Sequence, residues 1–280
     1  MDILITGGEG QLGKELNKSL CTKHNVNSLG KGILDVTNKE QVDLIIDHLK
    51  PDIIIHAAAY TAVDKCESER KKAFEVNSLG AGYIASAGKK VNARIIYIST
   101  DYVFDGKKQS PYAENDIPNP QSVYGMSKWL GEKIVLTNID ATVIRTSWLY
   151  GHYGRNFVKT MLELGKENRE IKVVDDQIGS PTYVNDLAEA IHQLIDKENG
   201  IYHFSNTGSC TWLTFAKRIF EEAGYDTNRV LPITSAEYGV PAPRPPYSVM
   251  DHQSIINQGI KTPRHWENAM KDFIRKELSK

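Results

Sequence analysis

Tyr124 and Lys128 stand four residues apart in the stretch VYGMSK, residues 123–128. On a helix that spacing places the two side chains one above the other on one face. A phenol beside an ammonium is either a reactive acid or an ordinary surface pair. The preceding apolar run, RIIYIST (94–100), ends in Ser99 and Thr100 with Asp101 next. A hydroxyl, a phenol and an ammonium are the parts needed to reduce a ketone with a nicotinamide. Hydride attack on a carbonyl carbon leaves negative charge on oxygen, which needs a proton donor and a hydrogen bond. Tyr124 is the candidate donor and Thr100 the candidate group that orients the carbonyl oxygen. Lys128 is expected to favour the phenolate, lowering a pKa of about 10 when unperturbed. It can also hold ribose hydroxyls.

The chain opens with a second motif, TGGEGQLG (6–13), in which Gly7, Gly10 and Gly13 are spaced GxxGxxG. It lies between a β-branched run and an amphipathic pattern. In that position Gly7 allows the tight turn, Gly10 a close approach to a pyrophosphate, and Gly13 close helix–sheet packing. The helix N-terminus would face the phosphates. Where an NAD-binding chain carries a carboxylate for the ribose 2′-OH, this one reads NSLGKG (27–32), with Lys31 and no acid. NADP(H) is therefore favoured and NAD(H) remains possible; Lys31 as a solvated loop charge is the competing reading. Asp35 and Val36 can line an adenine pocket, or Asp35 can form a turn with Thr37 and Asn38. The small residues of HAAAYT (56–61), Ala57 and Ala59 among them, suit either cofactor approach or ordinary packing.

These groups need a scaffold. Short apolar runs at 3–6, 25–29, 52–59, 94–100 and 141–147 alternate with helical patterns at 11–20, 39–49, 70–90 and 122–136. Continuous apolar strands between helices imply a parallel sheet covered on both faces, the doubly wound α/β (Rossmann-type) architecture, with ligands at the carboxyl ends of the strands. Further helical patterns follow at 156–165, 185–197, 211–223 and 265–279. The proline-rich stretch 232–247 reads as an ordered loop. The expected division is a dinucleotide-binding domain over 1–150 and a mainly substrate-binding lobe over 151–280, interleaved with the first. At 280 residues, 40% hydrophobic and 25% charged, the composition is that of an ordinary globular protein. A net charge of −1 gives no reason to expect nucleic acid or a membrane surface as partner. Apolar runs are too short to span a bilayer, and three scattered cysteines fit a reduced, cytoplasmic setting without zinc.

The order of GxxGxxG, a strand-end Thr and YxxxK resembles the extended short-chain dehydrogenase/reductase superfamily. Further segments narrow the resemblance: PDIIIHAAAYTAVDKCE, ISTDYVFDG, YGMSKWLGEK, IRTSWLYG, NFVKTML, VVDDQIGSPTYVNDLA and RPPYSVMD. Together, over residues 1–251, they look like the dTDP-4-dehydrorhamnose reductase family. The resemblance implies reduction of the C4 ketone of dTDP-4-dehydro-L-rhamnose to dTDP-L-rhamnose by NADPH or NADH, for cell-surface polysaccharide. By position, Thr100, Tyr124 and Lys128 match that family's catalytic residues. Gly10, Gln11, Leu12, Asp35, Val36, Ala59, Tyr60, Thr61 and Ile98 match its cofactor contacts. Thr100, Asp101 and Trp148 match its sugar contacts, although Trp148 also reads as a core tryptophan. Arg244, in PAPRPPYS, is a separate suggestion: a fork for a diphosphate, or a loop brace. Some members are metal-assisted homodimers using an acid at the position of Glu15. The companion acids are not recognisable here, so no metal is assigned, and a homodimer is allowed.

Two competing readings share these parts. A nucleotide-sugar epimerase uses the same Thr–Tyr–Lys set; a dehydratase usually adds an acid after the Asp, and STDYVFDG lacks one. A non-catalytic subunit resembling the regulatory subunit of methionine adenosyltransferase would bind NADP and a protein partner without turnover.

Overall fold

The computed structural model describes residues 1–137 and 140–279. Its centre is a six-stranded, all-parallel sheet in the order β2-β1-β3-β4-β5-β10. The strands are β1 (Asp2–Thr6), β2 (Asn25–Leu29), β3 (Ile53–His56), β4 (Arg94–Thr100), β5 (Ala141–Thr146) and β10 (Gly200–His203). Side chains alternate across each strand. Ile3 and Ile5 therefore meet one layer, formed by α1 (Gln11–Leu20) and α8 (Val184–Leu194), through Leu12, Leu16, Leu187 and Ile191. Leu4 and Ile54 meet the other layer, α2 (Lys39–Leu49) and α5 (Gly80–Lys90), through Val42, Ile46 and Ile84. On that face α6 (Val123–Val135) also packs Val135 against Ile95 and Val143. The sheet reverses its winding between β1 and β3, which opens the crevice where α/β folds bind ligands.

Two expectations need correction. The stretch 70–90 is not one helix: it follows α3 (Val63–Ser68) as α4 (Arg70–Phe74), then a π-helical turn over Glu75–Leu79, then α5. The buried Asn77 lies in that turn. Its amide takes the Tyr60 N–H at 2.8 Å and donates to Tyr60 O at 3.1 Å and Ser127 Oγ at 2.9 Å. The wider turn positions a side chain that a regular helix would not. The sixth strand, β10, was not foreseen. The chain returns to the sheet through α8 and β10 after leaving it at β5, so residues beyond 150 complete the first layer set.

The remainder of the C-terminal half gathers around its own core. It holds β6 (Leu149–Tyr150), α7 (Phe157–Gly165), β7 (Ile171–Val174), β8 (Ile178–Gly179), β9 (Thr182–Tyr183), β11 (Cys210–Thr211), α9 (Trp212–Glu222), β12 (Val230–Ile233) and α12 (Trp266–Leu278). The proline-rich stretch carries the end of β12 and one helical turn, α10 (Ser235–Tyr238), closed by a Thr234–Glu237 capping box. It then threads back: Ile178 N–H donates to Pro246 O and Tyr112 N–H to Val249 O, both at 2.8 Å. Among the described residues no helix is long and apolar enough to cross a membrane.

Candidate active site

A cavity of about 480 Å³ opens at the carboxyl ends of β1, β3, β4 and β5. Its lining includes Gly10, Thr100, Asp101, Tyr124, Lys128 and Trp148. Helix α6 delivers Tyr124 and Lys128 because its start is held tightly. Ser122 caps it, its Oγ accepting the Gly125 N–H at 3.1 Å. A Cβ at Gly125 would fall 2.2 Å from Tyr102 O, so only glycine lets the helix approach the strand end this closely. The Tyr124 hydroxyl neighbours that of Thr100, and its ring meets the Tyr102 ring edge-on at 5.5 Å. Thr100 Oγ1 in turn donates to Asp101 Oδ1 at 3.1 Å and accepts the Tyr102 N–H at 3.2 Å.

The electrostatics depart from the expectation for Lys128. Burial pushes the Tyr124 phenol well above its ordinary value, and the Thr100 hydroxyl offsets only part of this. Tyr124 thus stays protonated at neutral pH. The Lys128 ammonium does not hold it towards phenolate. That group is turned to Ile98 O, to which Nζ donates at 2.7 Å, and lies 4.0 Å from the centroid of the Tyr97 ring. Burial also lowers the Lys128 pKa to about 7, with Glu132 opposing the shift. Asp101 is moved the other way, up to about 6 by burial, with the nearby Ser248 and Thr100 hydroxyls opposing the shift. Its Oδ2 is buried and has no hydrogen-bond partner among the described residues, so an incoming hydroxyl would satisfy it.

Beneath these groups runs a buried polar network that sequence reasoning missed. Glu132 accepts from Arg145 Nε and Nη2 at 2.9 and 2.8 Å and from the Ser99 hydroxyl; Arg145 Nη1 lies 3.4 Å from His203 Nε2. The network ties α6, β4, β5 and β10 together just below the strand ends. Its signal was four isolated polar residues in apolar or helical runs, visible only once those elements are neighbours.

The other expected residues separate into groups. Gln11, Leu12, Ala57, Ala59, Thr61 and Ile98 line the main cavity along with Gly7. Lys31, Asp35 and Val36 line an adjoining hollow of about 250 Å³ that shares Gly7, Gly10, Ala57 and Ala59. Burial raises the Asp35 carboxyl, but hydrogen bonds from Thr37 and the Lys31 ammonium outweigh it, and the pKa sits below the ordinary value. Asp35 therefore makes the turn with Thr37 and also faces the hollow. Lys31 is mostly exposed, with Nζ 3.6 Å from Asp35 Oδ2. Tyr60 is engaged elsewhere: its hydroxyl donates to Glu69 at 3.0 Å and Lys72 lies over its ring. Arg244 braces a loop. Its Nη1 and Nη2 donate to Asp64 Oδ1 and Oδ2 at 3.0 and 2.9 Å, so the fork suggested for a diphosphate already faces a carboxylate.

The glycine loop fits a dinucleotide. Gly7 has φ +69°, and a Cβ there would lie 2.7 Å from Ala58 N. Gly10 starts α1 without a side-chain cap, leaving the first-turn N–H groups for an anion. Among the described residues no group of three or more His, Cys, Asp or Glu side chains is gathered closely enough to hold a metal ion.

Known proteins match this architecture over nearly its whole length. The model of the RmlD substrate binding domain family matches residues 1–279. The spore coat polysaccharide biosynthesis protein SpsK of Bacillus subtilis is 46% identical, covering 99% of this chain and 98% of its own. The dTDP-4-dehydrorhamnose reductase of Aggregatibacter actinomycetemcomitans is 43% identical, covering 97% of each. Among solved structures, the dTDP-4-dehydrorhamnose reductase of Bacillus anthracis in complex with NADP superposes with a TM-score of 0.96. It is 46% identical, covering 98% of this chain and 99% of its own. A UDP-glucose 4-epimerase from Thermotoga maritima, at TM-score 0.86 and 22% identity, shares the fold.

Proposed function

The chain belongs to the RmlD substrate binding domain family, and we propose that it reduces the C4 ketone of dTDP-4-dehydro-L-rhamnose to dTDP-L-rhamnose with NADPH. The observation that carries this reading is the convergence of Thr100, Tyr124 and Lys128 on one cavity that the glycine loop also lines. Relatives bearing the reductase name at 38–43% identity over the full chain favour it over an epimerase, whose likeness extends to the fold alone.

The nicotinamide, when bound, supplies the hydride. Tyr124, protonated at neutral pH, gives its proton to the forming C4 oxygen. Thr100 hydrogen-bonds that oxygen and aligns Tyr124. Lys128 holds ribose hydroxyls, and its ammonium, regained near a polar ligand, eases charge on the phenolate after transfer. Gly7, Gly10, Gln11 and Leu12 seat the pyrophosphate, and the hollow around Asp35 and Val36 takes the adenosine end. Lys31 beside that hollow, with no acid at the end of β2, supports NADPH over NADH. Asp101 and Trp148 receive the sugar. Arg244 is assigned to holding its loop against α3.

The test mixes the protein with dTDP-4-dehydro-L-rhamnose and follows loss of NADPH absorbance and appearance of the C4 alcohol, with NADH in parallel. Turnover establishes the activity and ranks the cofactors. No turnover despite tight NADPH binding would count against this sugar. The next substrate would then be that of the 40% identical Streptomyces antibioticus relative, a probable dTDP-4,6-dihydroxy-2-methyloxan-3-one 4-ketoreductase.

A further inference from the structure

Trp148 walls the reaction cavity from a constrained backbone. Its φ is +45°, in the left-handed region that a bulky side chain disfavours. Such a conformation persists only when its surroundings over-determine it. Here the surroundings belong to the C-terminal lobe. The Trp212 ring, at the start of α9, stacks on the Trp148 ring with centroids 3.5 Å apart and planes at 8°. Gly179 leaves room for the indole: a Cβ there would lie 2.6 Å from Trp148 Cε2.

Trp212 is itself pinned. Its Nε1 donates to Gln177 Oε1 at 3.2 Å, and Gln177 Nε2 donates to Ser235 Oγ at 2.8 Å. The Phe157 ring packs on it at 4.6 Å. Trp212 lines a separate cavity of about 340 Å³, beside Phe157, Tyr238 and Arg244, whereas Trp148 lines the reaction cavity.

We infer that Trp212 is a positioning residue: it clamps the Trp148 indole in its left-handed conformer and thereby sets how tightly the sugar ring is received. The inference rests on the reductase reading above. A planar stack is the contact that a tilted or aliphatic neighbour cannot reproduce, and it fixes ring orientation as well as distance. Released from it, Trp148 can relax its backbone and present a different wall to the sugar. The nicotinamide end, reached from the glycine loop, should be indifferent.

The experiment is a double-mutant cycle. Wild-type turnover is measured first, so failure of the reductase reading shows as an inactive wild type. Trp212→Leu should raise KM for the sugar nucleotide about tenfold, the scale of one lost aromatic stack, with NADPH affinity unchanged. Trp212→Phe should recover most of the loss. In a Trp148→Leu background, Trp212→Leu should add nothing. Gln177→Leu, a milder change that only unties the indole N–H, should raise KM about threefold, again only when Trp148 is present. An unchanged KM in the Trp212 and Gln177 variants would overturn the inference. So would an equal rise in the Trp148→Leu background, which would place the effect on Trp212's own cavity or on the fold.

Discussion

Replacing Tyr124 with phenylalanine isolates the proton. The ring keeps its edge-on contact with Tyr102 and its place in the small cluster with Cys66, Ala73 and Val123. Only the hydroxyl is lost. Its partner, Thr100, is not orphaned, because it still donates to Asp101 and accepts the Tyr102 N–H. The stability cost should therefore be at most that of one hydrogen bond, about 1 kcal/mol. Removing the general acid should lower kcat by about 10²- to 10⁴-fold, or roughly 3–5 kcal/mol of barrier. NADPH affinity should hold, since the hydroxyl faces Thr100 and the sugar side of the cavity. Three measurements decide it: steady-state kinetics, NADPH binding by fluorescence titration, and thermal unfolding. The expected pattern is a collapse of kcat with near-normal binding and Tm. Activity within tenfold of wild type would refute Tyr124 as the donor. A large fall in Tm would show that the hydroxyl is mainly structural.

Lys128→Met should weaken NADPH binding roughly 10- to 100-fold, one or two charge-assisted hydrogen bonds' worth, and lower turnover as well; unchanged affinity would remove its ribose role. Arg145→Ala should destabilise the fold by about 3–5 kcal/mol by leaving Glu132 buried and unpaired, read by urea unfolding, and a loss below ~1 kcal/mol would show that the network is not what holds the strand ends together. Stability should also fall with acid. His56 and His252 are held neutral by burial, with pKa lowered to about 3 and about 4, and His203 lies well below its usual value. Between the unfolded pKa of about 6.5 and these values the unfolded chain binds more protons, so their contribution is lost as pH falls. Asp101, raised to about 6, opposes them because its folded carboxyl is protonated first. The three histidines outweigh the one opposing carboxylate, so unfolding free energy should be smaller at about pH 5 than at about pH 7. Equal unfolding free energies at about pH 7 and about pH 5 would contradict this balance.

The parts legible in the sequence are those a single element decides. The glycine loop, the amphipathic face of α2 and the apolar run of β4 each follow from a few adjacent residues, and the structure places them where the spacing predicts. Thr100, at the end of β4, and Tyr124, at the start of α6, were legible for the same reason, and Lys128 follows Tyr124 by one helical turn. What escaped is decided across the chain. GIYH at 200–203 is no shorter than ILIT at 3–6, but its place beside β5 depends on α8 packing over α1 and on His203 meeting Arg145. Arg244 looked free for a diphosphate until the fold brought Asp64 to it from 180 residues away. Trp212 reads only as one apolar residue on an amphipathic helix, and its stack on Trp148 joins residues far apart in the chain within one core.

The departure at Lys128 has the same origin. From the spacing alone, an ammonium one turn from a phenol should acidify it. In the fold, both groups are taken out of water by α6 closing on β4, and the cost of charging a buried group outweighs a neighbour's field. The ammonium turns to the Ile98 carbonyl and the Tyr97 ring, and the phenol keeps its proton. The protonation of Tyr124 is thus set by the depth of the cavity, which the Ser122 cap and the Gly125 contact determine, more than by the lysine beside it.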